Sequence, residues 1–197
     1  MNGEAFTALD YRSMSRALRL ARRGRYTTRA NPQVGCVLVK DGKVIGEGLH
    51  WRPGEGHAEV NALRNAGTLA RGATAYVTLE PCCHEGRTPP CSQALIVAGV
   101  RKVIAAVTDP NPRVAGGGFK ELRAAGIECF SGLLSAPAEK LMEAYLLRQR
   151  TGRPFVRLKL ASSADGHTAL ANGESAWISG PASRLDVQRW RARAGAI

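Results

Sequence analysis

Apolar residues Tyr11, Met14, Leu18 and Ala21 recur at helical spacing with Gly24 as a stop, predicting an opening amphipathic helix. Val34-Gly35-Cys36-Val37-Leu38-Val39 is a continuous apolar run of strand length. Asp41-Gly42 then signals a two-residue hairpin leading into the return strand Lys43-Val44-Ile45-Gly46-Glu47-Gly48. Beyond it the pattern alternates. Helical character over 57–66 ends at Gly67, and a strand follows over 73–79. A helix over 91–98 ends at Gly99 before a strand over 102–107, and a helix over 119–125 ends at Gly126 before a short strand over 127–130. A longer helix is predicted over 136–150, with Leu141, Tyr145 and Leu146 on one stripe. Strands alternating with helices after a hairpin predict an α/β fold, a mixed sheet with helices on both faces.

The pattern changes after Arg150. Thr151-Gly152-Arg153-Pro154 reads as a linker, 155–161 as a new strand, 162–167 as a polar loop, and 181–194 as a helix with Pro181 in its first turn. The expected division is a domain over 1–150 and the beginning of a second over 151–197. A piece of ~45 residues cannot bury a core alone.

With 44% hydrophobic residues, the 197-residue chain has ample material for a core. It shows neither a run of apolar residues long enough to span a membrane nor a basic-then-apolar leader, so a cytoplasmic protein is expected. The formal charge of +12 raises the possibility of nucleic acid. Arg12, Arg16, Arg19, Arg22, Arg23, Arg25 and Arg29 fall on or just after the first helix, however, where they read as a solvated face. A second basic group, Arg148, Arg150, Arg153, Arg157 and Lys159, spans the linker. Nucleic-acid grooves interleave aromatics with the basic residues, and Tyr26 alone does not supply that. No nucleic-acid partner is expected, whereas a phosphorylated small molecule would need only one or two of these cations.

Of five cysteines, Cys82, Cys83 and Cys91 lie within ten residues, with His84 among them, which favours metal over disulfides. Cys36 and Cys129 read as small buried hydrophobes. His57-Ala58-Glu59, Pro81-Cys82 and Cys91 offer one imidazole and two thiolates, a three-ligand zinc shell with a fourth position for water. Glu59 is then free to move protons. Zinc deaminases carry H-x-E followed by P-C-x-x-C; here eight residues separate the two cysteines. Both cysteines are predicted at helix starts, where the thiolate gains from the dipole, with Cys83 turned about 100° away. The competing readings are a closed structural zinc site with Cys83 or His84 as fourth ligand, and a nucleoside or nucleic-acid base deaminase. The wide gap argues against nucleic acid, and the closed site leaves Glu59 without a purpose.

Asn31-Pro32-Gln33-Val34-Gly35, His57-Ala58-Glu59, Thr78-Leu79-Glu80-Pro81-Cys82, Gly86-Arg87-Thr88-Pro89-Pro90-Cys91 and Asp109-Pro110-Asn111-Pro112 together resemble the bifunctional deaminase/reductase family of bacterial riboflavin biosynthesis. Lys159-Leu160-Ala161-Ser162, Asp165-Gly166 and Gly173-Glu174-Ser175-Ala176-Trp177-Ile178 extend the resemblance over essentially the whole chain. It implies a cytidine-deaminase-like three-layer fold, followed by the start of a dihydrofolate-reductase-like domain that uses NADPH. It further implies removal of the 2-amino group of a diaminopyrimidinone ribosylamine 5′-phosphate. His57, Cys82 and Cys91 would bind zinc and Glu59 would shuttle protons. Asn31, His50 and His84 would meet the pyrimidine or ribose, and Arg87 the phosphate. In the reductase part, Ala161 and Trp177 would meet NADPH and Ser175 and Arg191 the substrate, in a homo-oligomer. Cys83 stands where the family more usually has Ser, and Gly56 where Pro is common. The family's reductase also runs on well past the length seen here.

Overall fold

The hairpin and the alternating elements assemble into one five-stranded sheet. The computed structural model describes residues 6–86, 88–175 and 177–195. They form two units, Met1–Pro154 and Phe155–Ile197. The first contains α1 (Ala8–Arg23), β1 (Gly35–Lys40), β2 (Lys43–Leu49), α2 (Ala58–Ala66), β3 (Thr74–Val77), α3 (Cys91–Ala98), β4 (Lys102–Ala105), α4 (Gly117–Ala124), β5 (Glu128–Ser131), α5 (Ser135–Leu141) and α6 (Glu143–Thr151). The sheet order is β2-β1-β3-β4-β5. β1 runs antiparallel to both β2 and β3, while β3, β4 and β5 are parallel. The parallel steps are bridged by α3 and α4, which lie with α2 on one face; α1 and α5 meet on the other. This is the mixed sheet with helices on both faces that the pattern predicted, and the three-layer cytidine-deaminase-like arrangement that the resemblance implied.

Local chemistry accounts for the element ends. Asp41 and Gly42 both have positive φ, 50° and 74°, as the tight hairpin turn requires. A reciprocal capping box opens α1, Thr7 accepting from the Asp10 N–H and Asp10 accepting from the Thr7 N–H. The helix buries Met14, Ala17, Leu18 and Ala21 and leaves Arg12, Arg16, Arg19, Arg22 and Arg23 exposed. Tyr11, assigned above to its apolar stripe, is instead 47% exposed. Ser13 takes the buried place, its hydroxyl satisfied by the Leu9 carbonyl at 2.8 Å. On the opposite face, α2 lies directly on the β2 backbone. A Cβ on Gly48 would sit 2.1 Å from the Ala58 carbonyl oxygen, so glycine permits this approach. Cys36 and Cys129 are core residues, as expected.

Two predicted elements differ. The single helix over 136–150 is two helices, broken at Met142 (φ −110°, ψ 20°). With neither Gly nor Pro at the break, the local pattern carries no signal for it. Tertiary packing wins: Met142 and Leu146 are both buried, and Tyr145 donates to the Asp109 carboxylate at 3.0 Å. In the second unit, the predicted strand over 155–161 has no ladder partner among the described residues. Val156 and Leu158 are each 78% exposed there. The predicted terminal helix is present as α7 (Pro181–Arg193), with Pro in its first turn and no buried residue. Arginine–tryptophan stacking marks this unit: Arg157 lies 3.9 Å from the Trp190 ring centre and Arg184 lies 4.2 Å from that of Trp177. Among the described residues, no helix is long and apolar enough to cross a membrane.

Candidate functional site

His57 occupies the N-cap of α2, and Cys91 is the first residue of α3. Cys82 is not at a helix start as predicted; it lies in irregular chain beyond β3, so no helical turn separates it from Cys83. Its sulfur nevertheless benefits from a helix N-terminus, because the Cys91 N–H at the start of α3 donates to it at 3.4 Å. His57 Nδ1 lies 3.2 Å from Cys91 Sγ and 3.6 Å from Cys82 Sγ. All three ligand atoms fall within 4.8 Å of one another. Zinc bonds of about 2.3 Å to sulfur and about 2.0 Å to nitrogen imply S···N edges of roughly 3.5 Å in a tetrahedron. The donor set and its spacing therefore fit zinc. Cys83 points elsewhere, its thiol donating to the Arg113 carbonyl at 3.5 Å.

The ionisation pattern suits the same group. The hydrogen bond between the two sulfurs pushes Cys82 down and Cys91 up, so they share one proton that a divalent cation would displace. The Cys82 thiolate raises the His57 imidazole. Glu59 is 3% exposed; burial, then the Cys82 charge, pushes its carboxyl up to about 7. A carboxyl poised near neutrality can both hold and release a proton.

Beside these groups opens a cavity of about 300 Å³, lined by Asn31, Glu55, His57, Cys82, His84 and Thr88, with Gly54 and Gly86. Asn31 Nδ2 donates to His50 Nε2 at 3.1 Å, which leaves the His50 proton on Nδ1, facing the Gly56 carbonyl at 3.5 Å. Burial lowers the His50 pKa, keeping it neutral in that role. His84 contributes a buried Nδ1 with no hydrogen-bond partner among the described residues. Arg87 lies outside the described residues.

The four predicted reductase-side residues all belong to the second unit. Ser175 donates to the Thr168 carbonyl at 3.0 Å, and Trp177 is 80% exposed. Ala161 is half-buried and Arg191 is exposed on α7. Two residues at the zinc-type site had no role in the sequence reading. Thr88 Oγ1 lies 3.4 Å from His57 Nε2, so with Nδ1 given to a metal, Nε2–H donates to Thr88 and sets the ring's orientation. Glu80 is buried two residues before Cys82, its carboxylate taken up by backbone N–H groups. An acidic residue inside an apolar stretch, next to Pro-Cys, was the available signal.

Comparison with known proteins places this geometry. The chain is 60% identical over 184 residues to the riboflavin biosynthesis protein RibD of Escherichia coli, an alignment covering 93% of this chain and 50% of that protein. It is similar to a solved Acinetobacter baumannii RibD structure, with TM-score 0.91 and 56% identity over 94% of this chain and 52% of that one. A Thermotoga maritima diaminohydroxyphosphoribosylaminopyrimidine deaminase/5-amino-6-(5-phosphoribosylamino)uracil reductase superposes with TM-score 0.86 at 41% identity, covering 93% of this chain and 53% of that one. The chain thus spans about half the length of the curated relatives it matches. Residues 154–197 match the RibD C-terminal domain. Residues 8–107 match the cytidine and deoxycytidylate deaminase zinc-binding region, and the chain belongs to that family.

Proposed function

We propose that this chain is a zinc-dependent pyrimidine deaminase of riboflavin biosynthesis, acting on 2,5-diamino-6-ribosylamino-4(3H)-pyrimidinone 5′-phosphate. Water and the 2-amino group exchange, giving 5-amino-6-ribosylaminouracil 5′-phosphate and ammonia. The observation that carries this reading is the convergence of His57, Cys82 and Cys91 ligand atoms within 4.8 Å of one another, with His57 and Cys82 lining a cavity and Glu59 buried two residues after His57. When bound there, zinc acidifies a water so that hydroxide is available at neutral pH. His57, Cys82 and Cys91 hold the ion. Glu59 takes one water proton on its carboxylate and delivers it to the ring nitrogen, then carries the remaining hydroxyl proton to the amine, which departs as ammonia. Asn31, His50 and His84 orient the heterocycle and ribose, and Arg87 meets the phosphate with its two-pronged guanidinium.

The domain over 1–150 carries this chemistry on our reading, and residues 151–197 contribute to an NADPH-dependent reductase. There Ala161 and Trp177 face the cofactor, and Ser175 and Arg191 face the substrate whose ribosyl group is reduced to ribityl. Small molecules are the partners, with homo-oligomerisation, no nucleic acid and a cytoplasmic setting. The resemblance and the relatives' names support this half of the proposal.

Glu59→Gln tests the deaminase reading. Zinc stoichiometry stays at the unsubstituted level while deamination falls by about 10²–10⁴-fold, the usual worth of a positioned proton shuttle. Deamination at the original rate would refute the mechanism. Metal analysis of cysteine variants tests the ligand set: Cys82→Ser loses zinc and Cys83→Ser keeps it. The reverse result would reassign the site.

A further inference from the structure

Eight residues separate Cys82 from Cys91, so the two sulfurs cannot be set by one helical turn as a two-residue gap allows. Hydrogen bonds from the Cys91 N–H to Cys82 Sγ and from the Ser92 N–H to the Cys82 carbonyl join the two ends, and both ends also meet α4. We propose that α4 is the brace, with Glu80 and Glu121 as positioning carboxylates that lock one thiolate segment to each part of it. The inference rests on the reading of His57, Cys82 and Cys91 as the zinc site.

The first lock lies just before Cys82. Glu80 is 2% exposed, and its Oε2 accepts from the Asp109 and Gly116 N–H groups, each at 3.2 Å. Its Oε1 accepts from the Phe119 N–H at 3.2 Å. Gly116 is the N-cap of α4 and Phe119 its third residue, so a side chain some 39 positions away caps the helix. A buried anion at a helix N-terminus is favoured by the dipole and by unsatisfied N–H donors. The backbones also meet directly, since a Cβ on Gly118 would lie 1.9 Å from the Pro81 carbonyl oxygen. The first turn of α4 is therefore seated on the residues entering Cys82.

The second lock lies just after Cys91. From the second turn of α4, Glu121 Oε2 accepts from Ser92 Oγ at 2.6 Å and from Gln93 Nε2 at 3.2 Å. The loop closes where the Ser92 N–H donates to the Cys82 carbonyl at 3.1 Å. Cys82, Glu80, α4, Glu121, Ser92 and Cys91 thus form one ring of protein contacts around the sulfur pair.

The test is cobalt(II) titration of the metal-free 197-residue chain, read by thiolate-to-cobalt charge-transfer and ligand-field absorbance and by competition with a chelator. Glu121→Ala and Glu80→Gln weaken cobalt binding by about 10–100-fold, the range for supports of metal ligands, and shift the ligand-field bands. Glu121→Gln binds as the unsubstituted chain does, because one amide oxygen still accepts both donors. Glu80→Gln has no such escape, since its NH₂ must face a backbone N–H. A merely structural role would lower the melting temperature of the metal-free chain while leaving the cobalt spectrum and affinity unchanged. That outcome, or equal cobalt binding by Glu121→Ala and Glu121→Gln, overturns the brace. If Glu80→Gln does not fold, the Glu121 pair decides. If the unsubstituted chain shows no thiolate charge-transfer band, the zinc reading itself fails, and that failure is visible before any variant is compared.

Discussion

The chain around β1, β3 and β4 and the chain over 155–160 are both short runs of strand length in which apolar residues recur, although Arg157 and Lys159 interrupt the second. In the first unit Val37, Val77 and Val103 are fully buried, whereas in the second Val156, Leu158 and Leu160 are 78%, 78% and 70% exposed. Their apolar residues alone do not separate the two stretches; their neighbours do. Each of β1, β3 and β4 is hydrogen-bonded on both sides, and helices cover the faces. A strand is a relation between segments, and β propensity is largely the fit of a side chain to a half-buried pleated surface. What the comparison teaches is where function can be held firmly. The zinc-type ligands belong to the unit with a closed core, and the residues the resemblance assigns to NADPH belong to the unit in which no described residue is buried.

Amide hydrogen exchange is the strongest way to break that contrast. Amides of β1, β3 and β4 are protected by factors of at least ~10³, as expected for opening that requires global unfolding. Those over 155–160 exchange close to the intrinsic rate. Equal protection of Val156 and Val77 would show that the second unit has a core after all. Side-chain truncation sharpens the same point. Leu95 is fully buried, and Leu95→Ala lowers unfolding free energy in urea by about 2–5 kcal/mol. Leu158→Ala, at an exposed position, changes it by less than about 0.5 kcal/mol. Comparable losses would refute the distinction.

The smallest effect comes from the surface of the first unit. Arg16 Nη2 donates to Glu47 Oε2 at 2.9 Å, and this hydrogen bonding holds the Glu47 carboxyl below the ordinary carboxylate range. A depressed folded-state pKa stabilises the protein above the unfolded-state value, and the contribution disappears as pH falls through the folded-state value. Glu47→Gln is therefore less stable than the unsubstituted chain at pH 7 by about 0.2–1 kcal/mol, the worth of an exposed pair. The two converge as pH falls through the folded-state value. Urea midpoints followed from pH 7 into the acid range check this, and a gap that widens on acidification would contradict it.

Much of the first unit was legible in one dimension. Asp41-Gly42 announced the hairpin, Gly67 and Gly99 closed their helices, and the apolar runs marked β1, β3 and β4. These signals are local: a turn needs residues that tolerate positive φ, and a helix needs a periodic face and a stop. The break at Met142 carried no such mark, because it arises from burying Met142 and Leu146 while Tyr145 reaches Asp109. Tyr11 shows the same limit, its place at helical spacing saying nothing about whether a neighbour would cover it.

The candidate site divides along that line. His57, Glu59, Cys82 and Cys91 stand out from residue type and spacing alone, because few side chains bind zinc or move protons and a motif keeps them close in sequence. Chain order also carried the turns, the helix stops and the alternation of elements. The roles of Glu80, Thr88 and Glu121 could be recognised only once the chain had folded. Glu80 reaches Phe119 across 39 positions, His57 reaches Thr88 across 31, and Glu121 reaches Ser92 across 29. A carboxylate that caps a distant helix looks in sequence like any other carboxylate. Its identity fixes what it can accept, and only tertiary packing decides which donors are brought to it and whether water is excluded around them.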